Sequence, residues 1–244
     1  MYIDNFYKGL FVCFVMMESE SYDISVDFLR ERDKGLLYVD TCGTNWVSAG
    51  KGTYKSGIAK MGKMKNVISA LRERENFLAT DGVLEEIVGS RDHYRECVRG
   101  IKHAIKNKYD EYVSNRGNVI LVTDDSLRKH IGWLRVYNNL LSILKEGVRL
   151  YSPKRLMLDS DYVCDYVNKR NDDRKMNLSE VDRGVIVAAI SSGHGSGVLS
   201  ADASLMSVFV GSVRKFKLND CFVCDSMNRK SYPVLWRDSR WHRD

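Results

Sequence analysis

Short apolar runs alternate along this chain with longer stretches of helical periodicity, and the first clear run lies at residues 35–41. This run, GLLYVDT, is rich in β-forming residues and stops at Asp40, so it predicts a buried central strand. Apolar residues recur at helical spacing between Lys60 and Phe77. Gly197–Ser200 is again short and apolar and predicts another strand. Strands that alternate with helices indicate an α/β fold with a mainly parallel central sheet flanked by helices.

The same patterns divide the chain into an N-terminal extension, residues 1–34, and one domain, residues 35–244, in which residues 91–175 form a mostly helical insertion. Capping residues and glycines set the predicted ends of the elements. The predicted elements are a helix that begins at Thr80 or Asp81 and ends at Gly89, helical residues 91–116, a strand Asn118–Thr123, a helix that ends at Gly147, a short strand Val148–Tyr151, a helix Asp159–Lys169, a linker Asn171–Lys175, a helix from Ser179 through Ile190, a helix Ala203–Gly211 and a final strand Val213–Leu218.

Composition and charge restrict the class of protein but do not indicate an activity. A hydrophobic content of 44% beside 29% charged residues is ordinary for a globular protein, and a net charge of +6 permits an anionic partner without demonstrating one. The six cysteines are scattered, which favours a reduced, cytoplasmic setting over a disulfide framework. Cys221 and Cys224 lack a second pair at metal-binding spacing, so we expect them to lie in a strand. The apolar run Leu10–Met17 is too short to span a membrane, and no membrane association is expected.

Four acidic residues lie where an α/β fold collects functional groups. Asp40 ends the first strand, and Asp202 follows the strand Gly197–Ser200. Asp182 lies in the first turn of its helix, and Glu86 lies on an earlier short helix. Because ligands of open parallel sheets bind beyond the carboxyl ends of the strands, these acids are candidates for one site.

Each acid also has a structural explanation. Asp182 follows Ser179 at capping-box spacing, and Asp202 could begin the next helix. Glu86, beside another glutamate, could belong to a solvated face. Asp40 is the hardest to explain structurally, because it ends a run whose other residues are typical of a buried core.

The order of the four acids and the residues around them resemble the PIN-domain family of metal-dependent nucleases. The motifs that carry the resemblance are LLYVDT, VLEEI, LSEVDRGVIVAA and VLSADASL, within about residues 35–90 and 176–220. They follow the family pattern of a strand ending in Asp-Thr, a helix carrying Glu, a helix that starts with Asp, and a strand ending Ser/Thr-x-Asp. Asp182 and Asp202 are 20 residues apart, which suits a helix, a turn and a strand.

This resemblance implies that Asp40, Glu86, Asp182 and Asp202 converge to bind one or two Mg²⁺ or Mn²⁺ ions. Carboxylate oxygens are the ligands that these hard cations prefer. Such ions activate a water molecule and stabilise charge during in-line displacement at phosphorus, so hydrolysis of phosphodiester bonds is the implied reaction. RNA is the implied substrate, with single-stranded DNA as a second possibility.

Three positions leave alternatives open. The family usually carries Asn two residues after the first Asp, where this chain has Cys42, which favours a catalytically weakened PIN-like module for RNA binding or assembly. Glu86 fits the family spacing better than Glu85, and about 100° of helical rotation separates the two directions. NVILVTDDSL also resembles the final strand motif, which makes Asp124 a reserve candidate or a helix N-cap.

Basic residues after the first strand are candidates for contacts with nucleic acid. Lys51, Lys55, Lys60 and Lys63 could contact phosphates, although a solvated helix face explains them equally well. A homo-oligomer or an inhibitory protein partner is also possible. The remaining alternative is an unrelated α/β protein whose acids are all helix caps and surface charges.

Overall fold

A computed structural model describes residues 22–23, 35–45, 68–73, 76–151, 153, 155–226 and 230–234. The strands within these residues are β1 Tyr22–Asp23, β2 Leu37–Val39, β3 Phe77–Leu78, β4 Glu111–Val113, β5 Val119–Leu121, β6 Gly197–Ser200, β7 Cys221–Asp225 and β8 Lys230–Val234. The labelled helices are α1 Thr41–Asn45, α2 Asp81–Lys106, α3 Asp124–Tyr151, α4 Ser160–Arg174, α5 Glu180–Ser192 and α6 Ala203–Lys215.

The central sheet is six-stranded, with the order β1-β8-β7-β6-β2-β3. Strands β3, β2, β6 and β7 run parallel, whereas β8 is antiparallel to both β7 and β1. The mainly parallel α/β architecture predicted from the sequence is therefore confirmed. The pairing of Tyr22–Asp23 with β8 also joins part of the predicted N-terminal extension to the sheet.

Helices cover the sheet because its inner strands are apolar on both faces. Every residue of β2 and β6 is buried. Helix α5 packs against both of these strands and α6 against β6 and β7, while α4 packs on α5 and α6. A run that is buried on both faces is expected of a parallel strand between helical layers.

Residues 91–175, the predicted insertion, are mostly helical and include an antiparallel hairpin, in which β5 lies within the predicted strand Asn118–Thr123 and β4 was not predicted. The long helices α2 and α3 pack against each other through the stacked rings of Tyr94, Trp133 and Tyr137. Val119 and Leu121 in the hairpin are exposed, at 61% and 65%, so this strand lies outside the core.

Several predicted element ends are wrong. Gly89 lies inside α2 and Gly147 inside α3, because the buried faces of both helices continue beyond these glycines. Val148–Tyr151 is therefore helical, and Asn171–Lys175 is largely the end of α4, in which Asn171 is buried. Phe77, predicted to end a helix, lies in β3.

The predicted final strand, Val213–Leu218, is also wrong. Val208, Phe209 and Val213 are buried at helical spacing, so α6 continues to Lys215 and the next strand begins at Cys221. Cys221 and Cys224 lie in this strand, as expected.

Candidate functional site: a carboxylate group at the edge of the sheet

Polar residues follow three neighbouring parallel strands at one edge of the sheet. Asp40 follows β2, and its backbone N–H continues the ladder by donating to the carbonyl of Leu199, at 3.0 Å. Ser200 ends β6 and is in register with Asp225, the last residue of β7. Parallel strands bring their carboxyl ends to the same edge, so these side chains belong to one region.

Asp40 is the most buried acid of this region, with only 1% of its surface exposed. Its Oδ2 accepts hydrogen bonds from the Cys42 thiol, at 2.6 Å, and the Ser200 hydroxyl, at 2.8 Å. Burial raises the pKa of the Asp40 carboxyl, the two hydrogen bonds oppose this effect, and the charge of Asp182 adds to it. No basic side chain among the described residues forms a salt bridge with Asp40.

Cys42 lies within α1 and supports Asp40 as a neutral hydrogen-bond donor. Burial and the neighbouring charge of Asp40 raise the pKa of its thiol to about 12. The thiol is thus protonated at neutral pH and is not a reactive nucleophile. Its sulfur also accepts a hydrogen bond from the backbone N–H of Ala201, at 3.3 Å, which ties α1 to the end of β6.

Helix α5 begins beside Asp40 and carries Asp182 in its first turn. Ser179 and Asp182 form the predicted capping box, in which Oδ2 of Asp182 accepts from the backbone N–H and the hydroxyl of Ser179 at 2.9 and 2.8 Å. Asp182 is four residues before the buried Ile186 and therefore lies on the face of α5 that packs on the sheet. Its negative charge contributes to the raised pKa of Asp40.

Asp202 is connected to Asp40 through Ser200. The Ser200 hydroxyl, which donates to Asp40, accepts a hydrogen bond from the backbone N–H of Asp202 at 2.9 Å. Oδ1 of Asp202 caps α6 by accepting from the backbone N–H groups of Ser204 and Leu205, at 2.6 and 3.3 Å. Asp182 and Asp202 both have a structural role as caps, and Asp40, which directly precedes α1, also accepts a hydrogen bond from the backbone N–H of Thr41.

Glu86 lies on α2 and is exposed, as is Glu85. A Cβ atom on Gly82 would lie 3.1 Å from the side chain of Val181, so this face of α2 contacts the first turn of α5. Glu86 follows Gly82 by four residues and so lies one turn further along that face. No hydrogen bond among the described residues connects Glu86 to the other three acids.

The four acids do not form a closed cluster. Among the described residues, the group of three potential ligands whose donor atoms all lie within 4.8 Å of one another is His93, Glu96 and Cys97, elsewhere on α2. Binding of one cation by Asp40, Asp182, Asp202 and Glu86 would therefore require their side chains to move inward.

Asp124, the reserve candidate, does not belong to this region. Among the described strands, the strand before it, β5, pairs only with β4, in a hairpin that is separate from the central sheet. The predicted capping role belongs instead to Thr123, whose Oγ1 accepts from the N–H of Ser126 at 3.0 Å. The basic candidates Lys51, Lys55, Lys60 and Lys63 lie outside the described residues.

A cleft of about 680 Å³ opens between the start of α2, α4 and the outer face of α5. Arg183, Thr80 and Asn168 contribute polar groups to its lining, and Tyr38 reaches it from β2. Arg183 directly follows Asp182, so its side chain projects about 100° around α5 from that of Asp182.

Sequence reasoning missed two members of this edge. Asp225 is buried, at 7% exposure, but the final strand was placed several residues too early to reveal it as a strand-end acid. Ser200 was treated only as part of a motif, although its hydroxyl connects Asp40 to the backbone of Asp202. A strand ending in Asp, FVCD, was the available signal for Asp225.

No protein-family model, curated protein or solved structure matches the chain. No helix in the described part of the chain is long and apolar enough to cross a membrane.

Proposed function

We propose that this chain is a PIN-like, Mg²⁺- or Mn²⁺-dependent nuclease that hydrolyses phosphodiester bonds, with RNA as its substrate. The observation that carries the proposal is Asp40, a carboxylate buried at the carboxyl edge of a parallel sheet beside a second carboxylate, Asp182. Burial and like charge both disfavour the ionised form of Asp40. A divalent cation would reverse this cost by neutralising both groups.

The donor set fits a hard cation. Asp40, Asp182 and Asp202 offer carboxylate oxygens at one sheet edge, and Glu86 lies on the face of α2 that contacts α5. Mg²⁺ and Mn²⁺ prefer such oxygen ligands and keep some of their water ligands. A bound ion of this kind would supply an activated water molecule and stabilise charge on the phosphate.

Hydrogen bonds within the chain orient three of the four acids. Ser179 fixes one oxygen of Asp182, and the backbone N–H groups at the start of α6 fix one oxygen of Asp202. Ser200 and Cys42 orient Asp40 by donating to the same oxygen. Such hydrogen bonds orient metal ligands, and the carboxylates would turn inward from these positions when a cation binds.

RNA as the substrate rests on the resemblance of the four motifs to the PIN-domain family. Lys51, Lys55, Lys60 and Lys63, which follow Asp40 in the sequence, are the proposed phosphate contacts. Phosphate contacts position a nucleic acid without reading its sequence, so single-stranded DNA is a second substrate to be tested.

A PIN-like RNA-binding or assembly module is the second candidate, and the position of Cys42 favours it. Its thiol donates to the same Asp40 oxygen that accepts from Ser200. An oxygen that already accepts two hydrogen bonds is a weaker ligand for a cation, so the site would bind RNA without cleaving it.

Cleavage of labelled RNA and single-stranded DNA by the full chain, in Mn²⁺, Mg²⁺ or EDTA, separates these functions. Asp40→Asn and Asp202→Asn should each lower the rate by roughly 100-fold or more, the scale of losing one electrostatic group from a catalytic site. Glu86→Gln should lower the rate, whereas the matched control Glu85→Gln should leave it within about twofold, because Glu86 lies about 40° around α2 from Gly82, which contacts α5, and Glu85 lies about 60° to the other side.

The outcomes are distinct. Cleavage that survives EDTA and both aspartate substitutions would exclude a metal nuclease. Binding of RNA without cleavage in either metal would favour the module. Equal losses in Glu86→Gln and Glu85→Gln would show that the assignment of the helical acid is wrong.

A further inference from the structure

A second group of potential metal ligands lies on α2, outside the carboxylate site. His93, Glu96 and Cys97 occupy one helical turn at spacings of three and four residues, so their side chains project from the same face. Their donor atoms all lie within 4.8 Å of one another. Cys97 is fully buried, while His93 and Glu96 are half-buried.

The distance between nitrogen and sulfur fits a tetrahedral zinc ion. Zinc bonds of about 2.3 Å to sulfur and about 2.0 Å to nitrogen, at a tetrahedral angle, place the two ligand atoms about 3.5 Å apart. Nε2 of His93 lies 3.7 Å from Sγ of Cys97. The separation of these two atoms suits zinc, and the imidazole ring would turn to aim Nε2 at the ion, because Nδ1 also lies 3.9 Å from the same sulfur.

The β4–β5 hairpin supplies hydrogen-bond partners for two of these three side chains. Nδ1 of His93 lies 3.0 Å from the side-chain oxygen of Asn115, which accepts a hydrogen bond from the Nδ1–H group and leaves the lone pair of Nε2 available to a metal ion. The backbone N–H of Asn115 also donates to Oε2 of Glu96, at 3.5 Å. Metal-binding histidines commonly donate their second N–H to such an oxygen.

The charges also suit a divalent ion. A thiolate and a carboxylate would together neutralise Zn²⁺. In the absence of a cation, the charge of Glu96 disfavours the thiolate of Cys97 and the smaller effect of Arg116 favours it. Without a metal, burial raises the pKa of this thiol to about 11, so the ion must displace its proton. A sulfur, a nitrogen and one oxygen are ligands that select zinc over Mg²⁺.

We propose that His93, Glu96 and Cys97 bind one Zn²⁺ ion and that Asn115, as a positioning residue, links this site to the β4–β5 hairpin. The fourth coordination position is open to water. This site is independent of the proposed nuclease function, and its ligands differ in chemistry from the carboxylates at the sheet edge.

Binding of Zn²⁺ to the chelator-treated full chain, measured against a competing chromophoric chelator, tests the proposal. The wild-type protein should bind one ion per chain, and Co²⁺ in its place should produce a thiolate-to-metal absorption band. His93→Gln and Cys97→Ser should each weaken binding by at least about 100-fold and Asn115→Ala by about 10- to 100-fold. The band should vanish in Cys97→Ser.

Two controls distinguish this site from adventitious binding. His103→Gln removes an exposed histidine from the same helix, and Cys164→Ser removes a half-buried thiol from α4. Both should bind zinc as the wild type does, with unchanged circular dichroism in all variants. A wild type that binds no zinc, equal binding in His93→Gln and Cys97→Ser, or loss of the cobalt band in Cys164→Ser would each overturn the proposal.

Discussion

Asp40 and Cys42 share a hydrogen bond, and each affects the acid–base state of the other. The negative charge of Asp40 helps to keep the thiol protonated, and the protonated thiol stabilises the Asp40 carboxylate by donating to it. Under the proposed nuclease function, the sulfur would perform part of the supporting role that the resemblance to PIN domains implies for an Asn. A thiol is a weaker donor than an amide, so this support is the weaker one.

Cys42→Asn should raise the metal-dependent cleavage rate or leave it unchanged. The amide can donate to Asp40 as the thiol does, through a stronger hydrogen bond. Cys42→Ala is the matched control, because it removes the donor and should cost about 1 kcal/mol of folding free energy together with some activity. Initial rates at saturating Mn²⁺ measure the effect. A large loss of activity in Cys42→Asn would mean that the thiol has a role of its own.

At the scale of elements, the short helix α1 must approach the end of β6 very closely to deliver Cys42 to Asp40. Gly43 makes this possible, because a Cβ atom at this position would collide with the backbone carbonyl of Leu199. The collision is with backbone rather than with a flexible side chain, so α1 would have to move away from the sheet.

Gly43→Ala should therefore destabilise the protein by about 1–3 kcal/mol, whereas Gly89→Ala should stabilise it by about 0.5–1 kcal/mol. Gly89 is exposed within α2, and a Cβ atom there meets nothing within 4 Å. Urea unfolding of both variants measures the difference. Equal stability of the two would contradict the proposed close contact between α1 and β6.

The strand β2, the strand β6 and the capping box of α5 could be predicted because local signals specify them. A short apolar run rich in β-forming residues is typical of a strand buried on both faces, and Ser179 with Asp182 forms its hydrogen bonds within four residues. The ends of α2 and α3 could not be predicted from Gly89 and Gly147. A glycine lowers helix propensity by only about 1 kcal/mol, which the packing of these long helices outweighs.

Part of the candidate site could be predicted from the order of strands and acids in the sequence. Acids that end parallel strands meet at one edge, so Asp40 and Asp202 could be grouped from sequence. Asp225 was missed because alternating lysines imitated a strand at the end of α6. The zinc-type ligands His93 and Cys97 have visible helical spacing, but Asn115 comes from a hairpin in a region predicted to be helical.

At the scale of the whole molecule, the two proposed metal sites share one helix. Glu86 and His93 are seven residues apart on α2, which corresponds to about 10 Å along the helix axis. The first site offers carboxylate oxygens and the second a nitrogen, a sulfur and an oxygen, so each selects a different class of ion. Groups at such a separation without shared partners contribute almost independently to stability.

The two metals should accordingly stabilise the protein additively. An ion at 100 times its dissociation constant adds about 2.7 kcal/mol to the free energy of unfolding, so Mn²⁺ and Zn²⁺ should each raise the melting temperature by several degrees. Asp40→Asn should remove the Mn²⁺ shift and retain the Zn²⁺ shift, and His93→Gln should do the reverse. The double variant should lose both, with a coupling energy below about 0.5 kcal/mol. Loss of the Zn²⁺ shift in Asp40→Asn would place zinc at the sheet edge instead, because Asp40 lies at that edge and does not belong to the His93 group.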